Sequence, residues 1–163
     1  MLAVRYVYVL ALVVWLGGMV ILGAVVAPTI FQVLQASDPE SGRALAGAAF
    51  GTAIARFHYV AYIAGALALL TLATMRILGP KPAAFAVRAL IVLVMLGIAV
   101  YSGFVVLARI DAIQAAVGTL PSLLPVTDPR RIEFDSLHAL STQLMSANIV
   151  GALVLLYWEA KER

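Results

Sequence analysis

Cysteine is missing altogether from the 163 residues. Its absence excludes a disulfide framework, a thiolate-held metal and covalent attachment of a c-type haem through Cys-x-x-Cys-His. Charge is also scarce: Asp, Glu, Lys and Arg make up 12% of the chain, about half the ~25% usual in soluble domains. Histidine occurs only twice, as His58 and His138. No phosphate-binding glycine loop, dinucleotide fingerprint, Ser-His-Asp set or zinc-protease motif is present. No acidic residue falls deep inside an apolar run, so a carboxylate proton relay has no support.

What is there is apolar. Hydrophobic residues form 64% of the chain and gather into runs that span a bilayer core of about 30 Å as helices. Residues 6–27, 57–78, 84–107 and 138–158 predict an all-α integral membrane fold, a four-transmembrane-helix up-down bundle that forms a single domain over 1–163. The net charge of +3 does not point to nucleic acid, because the basic residues are scattered at segment ends. The first run is too long, and too like the later ones, for a cleavable signal.

Pro28 is expected to end or kink the first helix. Ser37-Asp38-Pro39-Glu40 reads as a helix start, with Ser37 as N-cap and Glu40 closing a capping box. No breaker stronger than glycine follows until Gly79-Pro80, so the second helix runs from about Asp38 to Leu78. The third continues past Leu107 to Gly118, and Thr127-Asp128-Pro129 opens the fourth. Helices two and four are expected to extend on the outer side. Arg5, Arg76, Lys81, Arg88, Lys161 and Arg163 share one side with only Glu159 and Glu162. That bias places the Arg76–Arg88 connection and both termini in the cytoplasm, in a bacterial-type cytoplasmic membrane, with both histidines outside.

A faint internal repeat appears at a shift of 80. It aligns Leu16-Gly17 with Leu96-Gly97, Gly23 with Gly103 and His58 with His138. Two helices per half make this a 2+2 parallel repeat about an axis along the membrane normal.

Trp15-Leu-Gly-Gly18, Ala27-Pro28-Thr-Ile-Phe31 and Phe134-Asp-Ser-Leu-His-Ala-Leu-Ser141 resemble signatures of the transmembrane protein 205-like family. The resemblance implies a four-helix membrane domain and delivers no reaction.

Measured to the inner ends of their helices, His58 and His138 lie within roughly 3 Å of one depth at the helical rise. They sit on parallel helices of a bundle, where facing side chains hold cofactors. The first expectation is therefore a b-type haem and a membrane redox or electron-transport role, with His58 and His138 as axial ligands. Gly65 would make room, Tyr62, Ser141 and Met145 would line the site, and Arg56 would stand near the propionates. The plainer reading makes both histidines hydrogen-bonded residues at the membrane surface. Two readings from other classes stay open. The polar residues Ser141, Thr142, Ser146 and Asn148 suit a metal-ion or small-solute transport or resistance protein. The small-residue faces suit an accessory subunit packed on other membrane subunits, or a homo-oligomer, within the lipid bilayer.

Overall fold

The computed structural model describes residues 2–39, 41–79, 82–118 and 120–162. It is 90% helical, with no strand among the described residues. Four long apolar helices make the fold: α1 (Leu2–Ser37), α2 (Gly42–Leu78), α3 (Phe85–Val117) and α4 (Pro129–Lys161). They hold 33 to 37 residues each, about 50–55 Å at the helical rise and well beyond a 30 Å hydrocarbon core. All four therefore project, where the sequence led us to expect this chiefly of the second and fourth.

Pro28 does not end α1. The turn before it, Leu22–Val26, is π-helical, and the α-helix resumes at Ala27. A proline ring collides with the carbonyl four residues back and offers no N–H. The wider π turn absorbs both defects without breaking the rod. Ser37 is consequently the last residue of α1 and not an N-cap. Its hydroxyl donates back to the Val33 carbonyl at 2.9 Å. The Asp38 carboxylate accepts instead from the Ser41 amide at 3.1 Å, and α2 starts at Gly42. Glu40, Pro80, Lys81 and Arg163, named above, lie outside the described residues.

The α1–α2 corner is tight. A Cβ on Gly42 would overlap the backbone carbonyl of Leu34, which has no flexible end to move aside. Gly42→Ala is expected to cost about 1–3 kcal/mol, the range for overpacking a rigid contact. Unfolding of the purified variant by a denaturing detergent in mixed micelles measures it.

The other helix ends follow local chemistry. Gly118 closes α3 in the left-handed conformation at φ +69°. Asp128 caps α4, accepting from the Arg130 amide at 2.8 Å, with Pro129 in the first turn. Hydrogen bonds from the Arg130 side chain and amide hold the Asp128 carboxyl below the usual carboxylate range.

Helix α1 packs on α2 and α4, and α3 packs on the same two, so α2 and α4 stand diagonally across the bundle. The repeat is visible in three dimensions. The second π segment, Ser102–Leu107, begins 80 residues after the first. Buried positions also recur at that shift: Leu12 and Val92, Trp15 and Met95, Met19 and Ala99, Leu72 and Ala152, Met75 and Leu155.

The repeat breaks where polarity enters. Tyr8 corresponds to Arg88, and both are buried. Arg88, 1% exposed, donates through Nη1 to Glu159 Oε2 at 2.9 Å and pairs through Nη2 with Glu162 at 3.1 Å. Arg5 adds a second guanidinium on Glu159. This cluster ties α1, α3 and α4 together at the end that holds both termini.

Candidate functional site

The opposite end is open. A groove of about 160 Å³ lies among the projecting halves of all four helices. His58 lines it from α2 and His138 from α4. It continues into an inner cavity of about 70 Å³ that shares Phe50, Ile54, His58, Ser102, Ser141 and Met145, and whose further walls are Trp15, Met19 and Asn148. The two form one funnel down the bundle axis.

Each histidine is positioned by its own helix. The Nδ1–H of His58 donates to the Ile54 carbonyl at 2.9 Å. A carbonyl only accepts, so Nδ1 carries the proton and Nε2 keeps its lone pair. The ring lies against Gly103 in the π segment of α3, where an added Cβ would come 2.8 Å from its Cδ2. His138 is exposed at the mouth, and Phe134 stacks on it at 6.3 Å with 11° between the planes.

The funnel floor is polar. Asn148 is only 4% exposed, it lines the inner cavity, and its Oδ1 has no hydrogen-bond partner. Buried amides are nearly always satisfied, because stranding one costs about 1–3 kcal/mol. At the mouth, Asp111 is the one charged residue lining either cavity among the described residues.

Of the residues expected from the sequence, the structure brings His58, His138, Ser141 and Met145 to the funnel and leaves three elsewhere. Gly65 opens no gap: a Cβ there would lie 2.9 Å from Leu96 and 3.2 Å from Trp15, which fill the space. The Tyr62 hydroxyl reaches the Ala99 carbonyl at 3.5 Å and its ring stacks on Phe104 at 5.8 Å, outside both cavities. Arg56 is exposed and lines neither. Of the other basic groups on that side, Arg43 and Arg109 are exposed, Arg130 is bound to Asp128, and Arg131 to the Leu124 carbonyl and Asp135. Three of the seven residues expected to hold a haem therefore stand away from the funnel. The volumes fall below the ~300–1,000 Å³ of drug-sized ligand pockets, and among the described residues no arginine lines either cavity. No cluster of three His, Cys, Asp or Glu occurs among the described residues either.

The polar stretch of α4 is not wholly hidden. Thr142 and Ser146 are exposed and return their hydroxyls to the His138 and Thr142 carbonyls, at 3.1 and 2.9 Å. That local bond lets both hydroxyls face lipid at little cost. Only Ser141 and Asn148 of that set turn inward with burial. The spacing of His138, Ser141, Met145 and Asn148 does place them on one helix face, a signal that was available for Asn148. Nothing in the sequence flagged Met19, Ser102 or Asp111.

Among known families, the one described as "Domain of unknown function (DUF4149)" matches residues 10–119. The match spans more than half of the chain, which belongs to that family. It covers α1 to α3 and stops before α4 and His138. No curated protein and no solved structure matches.

Proposed function

We propose that this member of the DUF4149 family is a metal-ion or small-solute protein of the membrane, one that takes its ligand into the funnel from the histidine end. The observation that carries this reading is Asn148, a buried amide with an unpartnered oxygen at the bottom of a cavity that opens at the histidine end. The ionic cluster of Arg5, Arg88, Glu159 and Glu162 supports it by closing the other end. Both π segments support it too, since such turns recur at functional sites and Leu22 and Ser102 belong to the funnel wall. Arg76 and Lys161 leave a basic bias at the closed end, in favour of cytoplasmic termini. The motifs around Trp15, Pro28 and His138 favour the transmembrane protein 205-like family as the finer assignment.

The cysteine-free chain makes the test direct. Ser141→Cys is expected to react with a membrane-impermeant thiol reagent added outside right-side-out vesicles, while Leu155→Cys, buried beyond the funnel, stays unlabelled. Equal labelling of the two, or none of Ser141→Cys from either side, overturns the reading.

A further inference from the structure

We infer that the inner cavity is a binding site for a soft monovalent cation, cuprous copper, held by the thioether sulfurs of Met19 and Met145 and by Nε2 of His58. The inference rests on the reading of the funnel as a ligand site and names the ligand class. The three side chains line one cavity of about 70 Å³. A cavity of that size suits a bare ion better than a drug-sized ligand.

The chemistry of the lining selects the ion. Thioethers and imidazole are soft or borderline donors that prefer cuprous ion to hard cations. Calcium and magnesium want several oxygen ligands, and none of the lining side chains of the inner cavity is a carboxylate. A closed zinc site wants four nitrogen, sulfur or oxygen ligands, and the described residues hold no group of three.

The His58 tautomer fits a ligand role. A ligating imidazole ordinarily donates its other N–H to a fixed acceptor, and here Ile54 is that acceptor. Trp15 borders the same space, where an aromatic face favours a desolvated cation. Asn148 supplies an unpartnered oxygen at the floor. The approach is graded as well: Asp111 gives the mouth negative charge, His138 stands at the rim, and His58 and Met145 line both chambers.

The test titrates the purified full chain in mild detergent with Ag(I), a redox-inert probe of cuprous sites, in chloride-free buffer. One equivalent is expected to bind, at least tenfold more weakly in Met19→Leu, Met145→Leu and His58→Gln. Met75→Leu, a buried methionine away from the funnel, should leave binding unchanged. Met-to-Leu swaps conserve volume and hold the fold, which the unfolding midpoint checks. X-ray absorption of the copper(I)-loaded protein should show sulfur neighbours that disappear in the Met19→Leu/Met145→Leu double variant. Absence of Ag(I) binding, or affinity unchanged in that double variant, overturns the inference. One-sided labelling of Ser141→Cys would still stand in that case, so the two readings fail separately.

Discussion

Glu159→Ala is expected to destabilise the bundle by about 3–5 kcal/mol, the cost of leaving one member of a buried ion pair uncompensated. Arg88 is the reason. Its side chain is 1% exposed, it cannot shed its proton, and its Nη1 hydrogen bond to Glu159 would vanish. Glu162 still reaches Nη2, but that carboxylate is a quarter exposed and sits at the C-cap of α4. The lower half of the range is therefore expected, and Glu159→Gln, which keeps an acceptor, should lose less. The double variant Arg88→Leu/Glu159→Leu should recover most of the loss, because well-packed apolar groups replace a buried pair at little cost. Unfolding by denaturing detergent in mixed micelles, run on all four proteins, separates these outcomes. A double variant as unstable as Glu159→Ala would show that the cluster contributes beyond charge compensation.

Asn148→Leu is expected to move stability the other way, by about 1–3 kcal/mol, since it removes an unsatisfied buried amide. Both side chains branch at Cγ and are close in size, so the site needs little repacking. Position 148 also corresponds in the repeat to Ala68, which is already apolar and buried. The same variant should lose the ligand function of the funnel, the trade found where activity requires a locally costly group. The same detergent unfolding measures the shift. A stability loss would mean that Asn148 is a structural bond donor and not a stranded ligand group.

How much of this was legible can be argued element by element. The four spans were legible because hydropathy over some twenty residues is a cumulative signal that one substitution does not erase. Asp128-Pro129 and Gly118 were legible because a cap and a left-handed stop act within a few residues. The same rules failed at Ser37 and Pro28, where a π turn let the proline ride inside the helix. The Arg88–Glu159 pair was read only as two topology charges, because partners 71 positions apart leave no local trace. The common depth of the histidines was legible from residue counts and the repeat, which carry no sign that His138 is exposed at the mouth. The role given to Gly65 failed because missing side-chain volume marks a gap only if no neighbour fills it, and Trp15 does.

The 80-residue correspondence of the π segments has a consequence for any ligand on the bundle axis. The imidazoles come in two copies, one from each half, but His58 lines both cavities while His138 stands only at the mouth. The amide comes once, at Asn148, where the repeat has the buried Ala68 in the other half. The halves therefore line the axis unequally, the first with Trp15, Met19 and His58 and the second with Ser141, Met145 and Asn148, so a guest there meets two different sides.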